Sequence, residues 1–156
     1  MNRLKILKCT ELNAKHKQAV LELWNKEYPK QLAYQHADSF DQYLAQLKSP
    51  VHYLLAGNDG DTQGWAFTFD RDGERWFAII VDSTYQRMGL GSALLDAIKR
   101  DTKVINGWVT GHNEYLKTDG STYNSPLAFY LKNGFTVVPN ERLETDTLSA
   151  IKIIYP

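Results

Sequence analysis

The order of elements read from this sequence is β-α-α-β-β-β-α-β-α-β-β, which predicts an α/β domain of α+β type with a largely antiparallel sheet. Three observations carry that expectation. Short apolar runs such as RLKILKC (residues 3–9) and WFAIIV (76–81) have strand composition, and the middle three are joined by hairpin signals. Between other runs lie segments whose apolar residues recur at helical spacing. A glycine pair, Gly89 and Gly91, stands between the run Trp76 to Val81 and the helical pattern that follows it.

In chain order, residues 3–9 alternate like a strand. Asn13 to Tyr28 carries Val20, Leu23, Trp24 and Tyr28 on one helical face, and Pro29 ends it. Ser39 with Gln42 forms a capping-box pattern, and Phe40, Tyr43, Leu44 and Leu47 follow at helical spacing. Val51 to Ala56, Gln63 to Phe69 and Trp76 to Val81 are strands joined through GNDGD (57–61) and DRDGE (70–74). The helix after the glycine turn spans about Leu90 to Arg100. Val104 to Thr110 is a strand. Ser125 and Pro126 open a short helix that Asn133-Gly134 stops. Phe135 to Val138 and Leu148 to Ile154 are the last strands. Residues 1–156 contain no repeat, linker or low-complexity segment, so a single domain is expected.

Composition narrows the function classes. The 18 basic residues balance the 18 acidic ones, which argues against a broad nucleic-acid surface. Cys9 is the one cysteine, so no intrachain disulfide forms, and it is expected as a small buried hydrophobe. The four histidines and Cys9 lack zinc-ligand spacing, so no metal is expected. No apolar run approaches membrane-spanning length and the start does not read as a signal peptide. A cytoplasmic location is therefore the expectation.

The turn Gln86-Arg87-Met88-Gly89-Leu90-Gly91-Ser92 leads into a helix N-terminus. The first N–H groups of a helix have no intrahelical partner, and the dipole there favours an anion. Glycine lets phosphate oxygens approach those donors. The same residues also suit a plain tight turn, since glycine supplies positive φ. The spacing is neither the dinucleotide fingerprint nor an NTPase phosphate loop.

Taken with its surroundings, Q-x-x-G-x-G after a strand and before an apolar helix resembles the acyl-CoA loop of the GCN5-related N-acetyltransferase (GNAT) family. The stretch NSPLAFYLKNGF, Asn124 to Phe135, resembles that family's later motif, a short helix with a tyrosine four residues before Gly-Phe. The element order agrees across nearly the whole chain. The resemblance implies a mixed, largely antiparallel sheet of about six to seven strands flanked by about four helices, with a splayed strand pair at its centre. It implies acetyl-CoA as co-substrate and a small-molecule or peptide amine as acceptor, attacked directly in a ternary complex. A monomer or homodimer is expected, without nucleic acid or membrane.

Carried onto this chain, the resemblance puts the pantetheine along the backbone of Ile79, Ile80 and Val81. The pyrophosphate falls on the amides of Arg87, Met88, Gly89, Leu90, Gly91 and Ser92, with Gln86 where the family often has Arg or Gln and both glycines at closest approach. Arg87 is a further phosphate contact, Asn124 and Lys132 further contacts to the pantetheine or nucleotide, and Ser83 replaces a common proline. Tyr130 is the expected acid that protonates the leaving thiolate, while Phe129 is expected as core. Many members carry a glutamate on the strand before the loop, and WFAIIV has none. Asp82, which follows that strand, His112 at the end of the next strand, and a water chain remain as routes for the amine proton.

The polar-aromatic segment Gly111 to Tyr123 is long for a connection and suits an acceptor-binding loop. The link from Asn25 to His36 would roof the acceptor site, which singles out Glu27 and Tyr28. Two other classes compete with the enzyme: a non-catalytic acyl-CoA-binding sensor or scaffold, and a toxin-like enzyme acetylating aminoacyl-tRNA, which the neutral charge disfavours.

Overall fold

A computed structural model describes residues 5–57, 59–85 and 87–156. The expected phosphate contact Gln86, and residues 3 and 4 of the expected first strand, lie outside the described residues. The elements are β1 (Lys5–Cys9), α1 (Ala14–Glu27), α2 (Ala37–Gln46), β2 (Lys48–Ala56), β3 (Thr62–Arg71), β4 (Glu74–Val81), α3 (Leu90–Asp101), β5 (Ile105–Val109), α4 (Leu127–Lys132), β6 (Thr136–Glu144) and β7 (Ser149–Tyr155). The strands form one sheet of order β1-β2-β3-β4-β5-β7-β6, antiparallel throughout except between β4 and β5.

Local chemistry explains several boundaries. Asn13 caps α1, its Oδ1 accepting the His16 amide at 2.8 Å. The β3–β4 hairpin turns on Asp72 (φ +51°) and Gly73 (φ +76°) between the paired Arg71 and Glu74. Positive φ at both central residues matches the strand twist, and Asp-Gly tolerates it. α2 departs from expectation. It begins at Ala37, so Ser39 lies inside the helix and makes no capping box. The His36 carbonyl instead accepts the amides of Ser39 (3.1 Å) and Phe40 (3.4 Å), with Asp38 in the first turn to oppose the dipole.

The last hairpin also differs. Phe135 stays outside β6, which runs through Pro139 to Glu144. A register shift between Val137 and Arg142 makes this possible. Proline cannot donate to a ladder, and a bulge removes the need.

Strand alternation sends side chains to two cores. Tyr53, Leu55, Ala66 and Phe77 face α3 and α4, where Leu94, Leu95, Ile98 and Tyr130 meet them. Leu54, Trp65, Phe67 and Trp76 face α1 and α2, packing with Val20, Trp24 and Phe40. Cys9 sits at the edge of this second cluster, partly rather than fully buried.

The feature that positions the site is the β4–β5 pairing. The two strands pair at Trp76 and Asn106, and the ladder stops there. β3 covers the other edge of β4 along its whole length. The backbone of Ile79, Ile80 and Val81 therefore has no ladder partner on the β5 side. Gly107 lets β5 pass close to the Phe77 ring, since a Cβ there would meet Phe77 Cε1 at 2.8 Å. Among the described residues, no helix is long and apolar enough to cross a membrane.

Candidate active site

Where β4 leaves β5, the sheet opens into a cleft of about 550 Å³. One end is the first turn of α3. The first intrahelical bond runs from the Ala93 amide to the Gly89 carbonyl at 3.0 Å. The amides of Leu90, Gly91 and Ser92 precede it and have no intrahelical acceptor. Leu90, Gly91 and Ser92 all line the cleft, as do Arg87 and Gly89. Arg87 (φ +67°) and Gly89 (φ +78°) both take the left-handed conformation.

The two glycines do different things. Among the described residues, a Cβ on Gly89 would meet nothing within 4 Å, so its positive φ is what calls for glycine. A Cβ on Gly91 would lie 3.3 Å from Phe129 Cζ. Gly91 thus lets α4 close onto α3. Phe129, expected as core, is half-buried and lines the cleft beside it.

Tyr130 lines the middle of the cleft and is held by a helix stop. The Gly134 amide (φ +94°) donates to Leu131 O at 3.3 Å and the Phe135 amide to Tyr130 O at 3.1 Å. This is the Schellman pair of bonds, and the usual apolar contact across it is Tyr130 against Phe135, ring centroids 5.2 Å apart. The spacing of tyrosine to Gly-Phe is therefore a structural device that locks Tyr130 against the Phe77 and Phe135 rings. Its side chain is buried. Burial, with the Tyr123 phenol nearby, pushes the Tyr130 hydroxyl well above the ordinary tyrosine value of about 10. Tyr28 is raised in the same way, by burial first and then by Tyr123 and Tyr130, and burial pushes Tyr123 to about 12. Burial thus raises three of the phenols that line the cleft, those of Tyr28, Tyr123 and Tyr130.

The other end of the cleft is made of side chains. Among the described residues Glu27, at the end of α1, is the one buried carboxylate. Its Oε2 accepts the Ser83 amide at 2.7 Å, and Lys117 Nζ donates to its Oε1 at 2.8 Å. Tyr28 and Tyr123 meet edge to face beside this pair, centroids 6.3 Å apart. The loop carrying Lys117 is tied to the α1–α2 link by Lys30 N–H to Leu116 O (2.8 Å) and to the last turn of α1 by Thr118 Oγ1–H to Asn25 O (3.0 Å).

Of the residues singled out in the sequence, Ile79, Ile80, Val81, Arg87, Gly89, Leu90, Gly91, Ser92, Asn124 and Tyr130 line this one cleft. The Met88 side chain is exposed, as is Lys132 at the end of α4, and neither side chain lines the cleft. His112 also falls outside. Its Nδ1 accepts the Glu114 amide at 3.1 Å and its ring packs on Tyr115, which turns it away from the cleft lining. Asp82 is held by Lys26 at 2.6 Å. Tyr85 and Pro126 line the cleft without having been singled out, and of the long loop it is Lys117 and Tyr123 that reach it. Loop length and polar-aromatic content pointed to the segment, and the chain fold alone selects those two side chains from it.

The architecture matches solved structures. An aminoglycoside 6'-N-acetyltransferase complexed with coenzyme A superposes with a TM-score of 0.70 at 14% identity, over 96% of this chain and 95% of that one. An acyl-CoA N-acyltransferase from Pseudomonas aeruginosa gives 0.66 at 15% identity, over 99% and 100%. The ribosomal-protein-S18-alanine N-acetyltransferase from Escherichia coli gives 0.63 at 23% identity, over 100% and 94%. At these identities the likeness is one of fold. No curated protein matches the sequence. The family model described as an acetyltransferase (GNAT) domain matches residues 49–137, from the start of β2 through the glycine turn and α4. That match covers more than half of the chain, and the protein belongs to the GNAT acetyltransferase family.

Proposed function

We propose that the protein transfers an acetyl group from acetyl-CoA to a primary amine of a small molecule or peptide, with both substrates bound together. One observation carries this: the first-turn amides of α3, the unladdered backbone of β4 and Tyr130 meet in the same cleft. The cleft fits the co-substrate at each part. The amides of Leu90, Gly91 and Ser92, with Arg87, suit a pyrophosphate. The β4 backbone from Ile79 to Val81 suits the amides of a pantetheine arm. Asn124 borders the same channel. That a fold neighbour was solved with coenzyme A supports the assignment.

Bound acetyl-CoA supplies an activated acetyl thioester. The chain's own part is to orient it and to manage protons. Tyr130, a phenol and so protonated at neutral pH, donates its phenolic proton to the departing sulfur. The splayed strands admit the amine on the side away from the α3 turn. The amine proton leaves through water, since His112 lies outside the cleft lining and Asp82, also outside it, is engaged by Lys26.

A thiol-release screen with acetyl-CoA against polyamines, amino acids, aminoglycosides and peptide N-termini tests the proposal. Release of free CoA together with an acetyl mass increment on the acceptor nitrogen is expected. Tight CoA binding with no release toward any amine would replace the enzyme by an acyl-CoA-binding sensor or scaffold. No CoA binding would remove both.

A further inference from the structure

The ion pair between Glu27 and Lys117 occupies cleft wall rather than core or surface. Both residues line the cleft, with side chains 5% and 16% exposed. Burying a carboxylate requires a compensating charge. Among the described residues the other cation within reach of Glu27 is Lys26 at 3.7 Å, which is already engaged by Asp82 at 2.6 Å. Lys117 is therefore the principal partner of Glu27. The chain on each side of Lys117 is anchored independently, through the Leu116 carbonyl and the Thr118 hydroxyl, so the loop does not need the ion pair to hold its place. The stem of Lys117 reaches into the cleft and presents a primary ammonium there. That is the functional group an amine acceptor also presents, and Tyr28 and Tyr123 supply apolar walls for an alkyl chain next to it.

We propose that Glu27 is a primary-ammonium site in this cleft, and that Lys117 fills it from within the chain until a cationic ligand displaces it. Exchange of one ammonium for another leaves the buried charge balanced, which neither adding a second cation nor adding an anion would do. The site accordingly selects ligands that carry a primary ammonium and disfavours those with a carboxylate at that position. Its relevance to acetyl transfer rests on the function proposed above; its existence does not.

The experiment uses n-butylammonium, which reproduces the end of a lysine side chain, and needs no turnover. Lys117→Ala strands the buried carboxylate and should lower Tm by about 10 °C. Adding n-butylammonium should restore Tm saturably in Lys117→Ala. Tetramethylammonium, which has the charge but no N–H donor, should not. The double variant Lys117→Ala with Glu27→Gln should gain nothing from either. No recovery, equal recovery with tetramethylammonium, or equal recovery in the double variant would each overturn the proposal. Should Lys117→Ala fail to fold, the unaltered protein serves. Its Lys117 Cε NMR signal, assigned by its loss in the double variant Lys117→Met with Glu27→Gln, which leaves no stranded carboxylate, should move toward that of exposed lysines as n-butylammonium is added. An unmoved signal would equally overturn the site. Rescue by n-butylammonium together with no acetylation of any amine would keep the ammonium site and remove the transferase.

Discussion

The two ends of the cleft are built from different materials. The end at α3 is backbone: amides of Leu90, Gly91 and Ser92, and the open edge of β4. The end at α1 is side chain: a carboxylate, an ammonium and two phenols contributed by segments far apart in the chain, with Glu27 and Lys117 separated by 90 residues. A backbone site needs only the right turn and tolerates change in most side chains around it. A side-chain site depends on each residue present. The α3 end therefore suits a constant group such as a pyrophosphate, and the α1 end is where an acceptor would be read.

The sharpest way to break the comparison is at Tyr130, which stands between the ends. Tyr130→Phe keeps the ring and its packing, so CoA affinity should stay near that of the unaltered protein while turnover falls about a hundredfold or more. Binding calorimetry with CoA and steady-state kinetics separate the two. A general acid loses activity as pH rises through its own titration. Because burial raises that titration, the alkaline limb belonging to Tyr130 should lie well above pH ~10 rather than at it. Full turnover in Tyr130→Phe would leave the residue as a core aromatic.

Acid should strike both ends at once, because the responsible group lies beneath neither. His52 is 3% exposed, accepts the Trp65 indole N–H at 3.1 Å, and is held by burial to about 4. Its titration in the folded chain is depressed below the unfolded value of about 6.5. The unfolded state therefore gains the proton first, and stability falls as pH drops from about 6.5 toward 4, by roughly 2–3 kcal/mol. Urea midpoints across that range should fall more steeply for the unaltered protein than for His52→Asn. Parallel curves would assign the acid sensitivity elsewhere.

At the backbone end alone, Gly89→Val should weaken CoA binding about tenfold or more. The change forces a β-branched residue to φ +78° and puts its side chain where the cleft opens. Gly91→Ala should cost less, since the Phe129 ring needs to shift only by a few tenths of an ångström. Equal losses would erase the distinction between the glycines. The smallest effect is expected at His112. His112→Ala should leave turnover within about twofold, because its contacts are to its own loop. A large loss of turnover without loss of stability would return His112 to the chemistry.

What the sequence determined by itself was set by short-range physics. Asp72-Gly73 and Asn133-Gly134 announce a hairpin and a helix stop because positive φ is available to few residues, and both occur where read. Val51 to Ala56 and Trp76 to Val81 read as strands and are strands, and because side chains on a strand alternate, Leu54 and Leu55, like Trp76 and Phe77, enter opposite cores. The backbone end of the cleft was named only when the glycine turn was read together with the family resemblance, since the turn by itself also suited a plain tight turn. Tertiary structure decided the rest. α2 starts early because the His36 carbonyl, not a Ser39 side chain, serves its first turn. β6 passes Pro139 because its bulge falls there. Gly91 answers to Phe129, and Glu27 to Lys117, only once α4 and the long loop have folded back. Such contacts join residues whose separation along the chain carries no periodic signal, so packing alone selects them.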